Sequence, residues 1–172
     1  TNAFRVLGIK SAVPVVFVDV AKGFVPVRLL ADWAGGSFGW TIAFGAAAIL
    51  GHMFSVWVGF KGGKGMATSA GVFLALAPWA VLAGLVVWCV LTFTTGYVSV
   101  GSIGTALALP GLLALTPHVG GAALVWFSVV LAAVVIWAHR SNIGRLTRGE
   151  ENRFRRRRGK EARTENGTES HA

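Results

Sequence analysis

The chain has 172 residues, of which 54% are hydrophobic and only 13% charged, with a mean hydropathy of +0.64. A soluble domain carries roughly 25% charged residues, so the composition excludes an ordinary water-soluble enzyme and points to one integral membrane domain. The net charge of +9 is concentrated, with 10 of the 16 Lys and Arg residues in 139–172; no helix-turn-helix, zinc or aromatic-stacking pattern accompanies that run, which therefore reads as a topology signal and lipid-surface contact and not as a nucleic-acid site.

A first apolar segment covers 11–31 and contains Asp19, Lys22 and Arg28, and 32–37 is a loop. Residues 38–58 form a second segment, long enough for a bilayer core of ~30 Å at ~1.5 Å per residue. A glycine-lysine loop follows at 59–65. Residues 66–77 are apolar but short and end at Pro78, and the next helix covers 79–94. A polar, glycine-punctuated turn is expected at 95–102. A short span at 103–116, interrupted by Pro110 and Gly111, leads through a turn at 117–121 to the last span, 122–138.

The expected fold is thus an all-α polytopic bundle of six apolar helices. Counting 66–77 as a crossing puts Arg5, Lys10, Lys61, Lys64, the 95–102 turn and the basic run 139–158 on one side, and the nearly uncharged 32–37, Pro78 and 117–121 on the other. The positive-inside rule makes the first side cytoplasmic and favours six crossings. The domain boundary is expected at 153, with 154–172 a basic tail too poor in apolar residues to order.

Lys61 and Lys64 are the only Asp, Glu, Lys or Arg residues between Asp32 and Arg140. Charges near lipid are costly, about 2.5–3.5 kcal/mol each at a helix centre. Set among glycines and followed by Thr68 and Ser69, they suit a small anion, because glycine lets backbone N–H groups approach closely and lysine adds charge. The frame is not a Walker loop, since position 58 is Val and position 65 is Gly. A plain cytoplasmic turn is the alternative.

Asp19 and Lys22, three apart on one helix face, form an ion pair that is structural or orders the helix end. His52 is either a packing hydrogen bonder or a site residue. Ser99 and Ser102 cap a helix or line a site. From His139 onward, Arg140 and Arg145 can grip phosphate and His139 can move a proton or donate a hydrogen bond; a basic stop-transfer flank accounts for the arginines but not for His139 or Asn142. Glu150 and Glu151 are available to orient a neighbour. The lone cysteine, Cys89, excludes an intrachain disulfide, no Cys/His metal spacing is present, and no signal peptide is visible.

These residues carry a resemblance. Gly51-His52-Met53-Phe54, followed by Gly59-Phe60-Lys61-Gly62-Gly63-Lys64-Gly65-Met66-Ala67-Thr68, is similar to the central motif of bacterial acyl-phosphate:glycerol-3-phosphate acyltransferases. His139-Arg140-Ser141-Asn142-Ile143, with Arg145, Leu146, Gly149 and Glu151, resembles their third motif. Thr1-Asn2-Ala3-Phe4-Arg5 resembles the end of their first, usually Gly-Ser-Gly-Asn-x-Gly-Ala-Thr-Asn-x-x-Arg. Asp19, Lys22 and Gly23, and Tyr97, Ser99, Gly101 and Ser102, also fit. The likeness covers residues 1 to about 153. The family has seven membrane helices, so the resemblance implies an N-terminal truncation that removes the first helix and most of the first motif, and it puts the activity of the chain as given in question.

The resemblance implies transfer of a fatty acyl group from acyl phosphate to the sn-1 hydroxyl of glycerol 3-phosphate, giving lysophosphatidic acid and phosphate, the first step of phospholipid synthesis. It implies no cofactor and no metal, and a multi-pass location in the bacterial plasma membrane with site loops and C-terminus cytoplasmic. His139, Asn142 and Lys64 are implied as catalytic. Thr1, Asn2, Arg5, Lys61, Lys64, Thr68, Ser99, Ser102 and Arg145 are implied as substrate-binding, with Lys61 ranked behind Lys64. The rival is a small transporter or channel for an anionic solute, but 32–37 and 117–121 lack the matching charge a pathway needs.

Overall fold

A computed structural model describes the backbone of residues 2–154, with side chains from Lys10 onward. Thr1 and the 155–172 tail lie outside the described residues, as do the side chains of Asn2 and Arg5. Among the described residues there are seven helices of eight residues or more: α1 Asn2–Val25, α2 Phe38–Met53, α3 Met66–Leu76, α4 Pro78–Thr95, α5 Val98–Leu115, α6 Gly121–Ala138 and α7 Arg140–Thr147. No strand is present among them.

The expectation of six apolar helices is corrected. Four helical stretches, Phe38–Val58, Pro78–Thr95, Val98–Leu115 and Gly121–Ala138, are long and apolar enough to cross a membrane, and α3 is a shorter apolar helix. The first apolar segment does not join the four because it belongs to a longer helix that carries Lys10, Asp19 and Lys22. It runs on through a π-turn at Pro26–Leu30 that contains Arg28, and then a short helical turn at Ala31–Trp33. Pro26, which has no N–H to give the ladder, marks the register slip. Helix α3 has 11 residues and reaches only about 16 Å. Helix α7 is polar and continues the chain past α6.

Two local expectations also change. The turn expected at 95–102 narrows to Gly96 and Tyr97, because α5 starts at Val98 and takes in Ser99, Gly101 and Ser102. Pro110 does not interrupt α5 but sits inside it, as membrane helices allow when neighbours re-satisfy the freed carbonyl.

Loop contacts define the two ends of the bundle. At one end the Val119 N–H donates to Leu76 O at 3.2 Å, and Gly120 abuts the Phe38 ring. At the other, the Gly62 N–H donates to Met53 O at 3.1 Å and the Phe154 N–H to Gly96 O at 2.8 Å. Between them lies an apolar core in which Phe73, Leu113 and Leu124 are fully buried and Phe73 stacks on Phe127 at 5.8 Å. Phe17, Trp79, Leu107 and Trp126 point outward and are more than half exposed. In water this surface would aggregate; in a bilayer it is the lipid-facing surface.

Lipid is as apolar as the core, so close backbone packing replaces the aqueous hydrophobic effect as the driver of helix association. Helix α1 crosses α3 where Gly23 faces Thr68 and Val72 and Gly71 faces Val20 and Phe24. A Cβ on either glycine would overlap the opposing backbone carbonyl. Across the α4–α5 hairpin a Cβ on Gly101 would overlap the Thr92 hydroxyl and crowd the Trp88 carbonyl. Gly71→Leu is expected to part α1 from α3 and lower the thermal unfolding midpoint in detergent, whereas Gly111→Ala, at a position with open space around it, should leave that midpoint unchanged or slightly raised.

Candidate functional site

The loop that carries the two lysines is shaped by sterics. Helix α2 stops as the Phe54 N–H donates to Leu50 O at 2.8 Å, and a single 3-10 turn spans Val56–Val58. Gly59 and Phe60 both adopt φ of 61°, and Phe60 is the only non-glycine residue at positive φ among the described residues. The chain then folds back on the end of α2. A Cβ at Gly62 would collide with His52 O, and one at Gly63 with the His52 ring. Gly65, at φ 77°, turns the chain into α3. The glycines are therefore required by the return of the loop onto α2, whatever they do for an anion.

The other wall begins where α6 ends. His139 leaves the helical region, at φ −97° and ψ 7°, and opens α7. Arg140 folds back over Trp137, its guanidinium 4.3 Å from the ring centre. Asn142 and Arg145 lie three apart and share a face of α7. Gly149, at φ 70°, reverses the chain, and the Glu150 N–H donates to Arg145 O at 2.8 Å. This brings Glu151 back beneath α7, where it is buried.

Glu151 joins three elements. Its Oε1 accepts from Ser99 Oγ at 3.0 Å and from Asn142 Nδ2 at 2.6 Å, and its Oε2 accepts from Arg145 Nε at 2.8 Å. With Nδ2 committed to the carboxylate, the Asn142 amide turns its Oδ1 to Lys64, whose ammonium donates to it. Residues 78 apart in sequence thus meet. Burial alone would raise the Glu151 carboxyl. The hydrogen bonds from Asn142, Arg145 and Ser99 and the charge of Arg145 outweigh it and hold the carboxyl below the ordinary carboxylate value.

His139 is buried, and its Nδ1 lies 2.8 Å from Val135 O. A carbonyl only accepts, so Nδ1 carries the proton and Nε2 of the neutral ring is the acceptor. Burial, with the Lys64 charge assisting, lowers the His139 pKa below its ordinary value despite the Val135 bond and the Glu151 charge, which act the other way. The ring is therefore neutral at neutral pH.

Of the residues singled out from sequence, Lys64, Ser99, Asn142 and Arg145 come together in this cluster, and His139 is adjacent through the Lys64 and Glu151 charges. Ser102 lies one turn further along α5, buried, and accepts from Trp88 Nε1 at 3.4 Å. Thr68 is fully buried at the α1–α3 crossing, where its carbonyl faces Gly23. Lys61 is exposed, its N–H donating to Val58 O at 3.2 Å. Thr1, Asn2 and Arg5 fall outside the described side chains. Sequence reasoning noted Glu151 as an orienting group but left it off the site; its place in the third-motif match, two residues after Gly149, is the signal that could have found it. The strap beyond it was also missed: Arg153 Nε donates to Tyr97 OH at 3.0 Å, and Phe154 packs edge-on to Phe93 at 6.3 Å. Among the described residues, no group of three or more His, Cys, Asp or Glu side chains is placed to hold a metal ion.

The comparisons with known proteins agree on one family. The model of the family "Glycerol-3-phosphate acyltransferase" matches residues 1–149. The glycerol-3-phosphate acyltransferase of Geobacter sulfurreducens is 43% identical over 155 residues, covering 90% of this chain and 78% of the relative. That of Anaeromyxobacter dehalogenans is 46% identical over 158 residues, covering 88% of this chain and 76% of the relative. Two crystal structures of PlsY (YgiH), an integral membrane glycerol 3-phosphate acyltransferase, also match. Its glycerol 3-phosphate form superposes with a TM-score of 0.82 at 37% identity, over 89% of this chain and 76% of that one. Its lysophosphatidic acid form gives 0.81 at 36%, over 88% and 76%.

The Glu151 carboxyl is held below its unfolded-state value, so its contribution to stability is complete above the ordinary carboxylate range and disappears as pH falls through the folded-state value. Glu151→Gln is expected to flatten the acid limb of a stability–pH curve measured in detergent. Glu151→Ala, which strands Ser99 and Asn142, should cost about 1–3 kcal/mol per donor left unsatisfied.

Proposed function

We propose that this chain, which belongs to the glycerol-3-phosphate acyltransferase family and transfers a fatty acyl group from acyl phosphate to the sn-1 hydroxyl of glycerol 3-phosphate, binds its two phosphates at the Lys64–Asn142–Glu151 cluster. The observation that carries this reading is the Lys64–Asn142 contact, which joins the glycine-lysine loop to the start of α7. Transfer needs two anionic substrates side by side, one hydroxyl aimed at one acyl carbon. Positioning and electrostatic stabilisation are then the main sources of rate.

In this reading Lys64 supplies charge to a phosphate, and Arg145 supplies the guanidinium N–H groups that Glu151 does not take. Glu151 acts on the substrates through Asn142, Ser99 and Arg145, whose orientation it holds. The hydroxyl oxygen attacks the acyl carbon, the carbonyl oxygen takes up negative charge, and collapse of the tetrahedral intermediate expels phosphate. The hydroxyl proton passes either to His139 Nε2 or to a phosphate oxygen. His139 suits the first role, being neutral with Nδ1–H held by Val135. Thr1, Asn2 and Arg5 complete the glycerol 3-phosphate side, and Ser102 stands behind Ser99 on α5.

The orientation follows from charge. Lys61, Lys64, Arg140, Arg145, Arg148 and Arg153 all belong to the end of the bundle that holds the cluster, and the 34–37, 77–78 and 116–121 connections at the far end carry no lysine or arginine. The positive-inside rule places the cluster and the C-terminal strap on the cytoplasmic side.

Lys64→Ala and Asn142→Ala are each expected to reduce lysophosphatidic acid formation by about 10²-fold or more while both proteins still insert in the membrane; wild-type rates in both would refute the assignment. The acid limb of kcat/KM should fall at a pH below the ordinary histidine value, because the lowered pKa keeps His139 unprotonated until then. A rate profile following phosphate release from acyl phosphate between pH 4.5 and 8 checks it, and His139→Gln should abolish the limb along with most of the activity.

A further inference from the structure

Two contacts outside the Glu151 cluster converge on the loop that carries Lys64. His52, in the last turn of α2, has Nδ1 3.4 Å from Asp19 Oδ1, and the same carboxylate oxygen accepts from Lys22 Nζ at 3.2 Å. The Asp19 and His52 side chains are only 17% and 16% exposed, whereas Lys22 is 57% exposed. The opposite edge of the imidazole, at Nε2, lies directly against Gly63, so closely that a Cβ there would overlap it. The carbonyl of His52 is pressed against Gly62 in the same manner. The loop is thus seated on the ring and backbone of one residue, and Lys64 is the next residue along.

Helix α1 holds the other side of the loop too. Its crossing with α3 at Gly23 and Gly71 fixes the helix that begins at Met66, two residues beyond Lys64. Asp19 is one turn before Gly23 on that helix. The lysine therefore sits between two points that α1 sets, one through His52 and one through α3. An apolar pair would fill the space around Asp19 and His52 with less desolvation, but it would not fix the rotation of a ring. A carboxylate beside Nδ1, at 3.4 Å, favours the orientation that keeps this edge of the ring turned toward it.

We infer that Asp19 and His52 act as a positioning pair for acyl transfer: Asp19 orients the His52 imidazole, whose far edge sets the backbone at Gly63 and thereby the place of Lys64 against Asn142. Neither residue touches the reacting atoms. Their effect is on geometry, where a displacement of about 1 Å is enough to change rates by roughly 10²-fold. The inference rests on the reading of Lys64 as a phosphate-binding group.

The test is steady-state kinetics on purified, reconstituted protein, alongside thermal unfolding. His52→Ala and Asp19→Ala should each lower kcat by at least about tenfold with KM for both substrates within roughly threefold. The double variant should be no worse than either single one, as expected for residues that act as one unit. Asp19→Asn, which keeps an acceptor for the ring, should restore kcat to within about threefold of wild type. Should an alanine variant fail to fold, His52→Phe carries the test, since it keeps the bulk and removes the nitrogen that Asp19 orients; it should show the same kcat loss. Wild-type kcat and KM in the variants, with only the unfolding midpoint lowered, or additive losses in the double variant, would overturn the inference. Lys64→Ala run in parallel separates the two claims: its retention of activity defeats the phosphate reading, whereas its loss with unaffected Asp19 and His52 variants defeats this one.

Discussion

A single carboxylate, Glu151, organises the end of the bundle where the chemistry is placed. It takes hydrogen bonds from an α5 serine and from an asparagine and an arginine of α7. A buried carboxylate is expensive unless every lone pair has a donor. Here the donors come from separate elements, so their convergence is a requirement of burying the charge. The requirement has a useful by-product. Asn142 has one way to face, because its amide nitrogen is committed to Glu151, and its oxygen is then directed at Lys64. A flexible lysine is held by a neutral oxygen whose own position is set from behind.

The glycines couple this polar end to the apolar bundle. At Gly62 and Gly63 they let the loop lie on His52, and at Gly23 and Gly71 they let two helices touch backbone to backbone. Both contacts are steric and leave no room for a methyl group. The lysine loop therefore belongs to the packed structure and is not an appendage to it. The helix that brings Asp19 to His52, α1, is also the one that crosses α3 at Gly23 and Gly71. The charges of α1 follow from the same arrangement: Asp19 sits on the face turned to α2, while Lys22 is half-exposed beside it.

Much of this was legible in the residues. The four long apolar helices follow from composition and length, and the family follows from the ordered motifs around Lys64 and His139. The count of six did not hold, for reasons that lie in the charges. The segment 11–31 carries Asp19 and Lys22 on a helix that also bears Lys10, and Arg28 in the π-turn that follows it. The span at 66–77 was apolar but had too few residues to match its neighbours. Likewise the turn at 95–102 was read from its polar residues, yet Ser99 and Ser102 are helical. In a membrane bundle a hydroxyl can point at a buried partner on the next helix without ending its own.

By itself, the sequence determined that this is a helical membrane protein, which residues bear its rare charges, and which family's chemistry those residues match. These depend on composition and on local order along the chain, which need no knowledge of contacts. What only the tertiary structure decided is which charges meet. Lys64 and Lys61 are three residues apart and alike in type, but the return of the loop onto His52 brings one to Asn142 and leaves the other exposed. Glu150 and Glu151 are adjacent, but the reversal at Gly149 turns one inward beneath α7 and the other toward Arg148 at the surface. The choice in each case is made by steric closure between segments far apart in sequence, and pairwise proximity of that kind is not written in any local pattern.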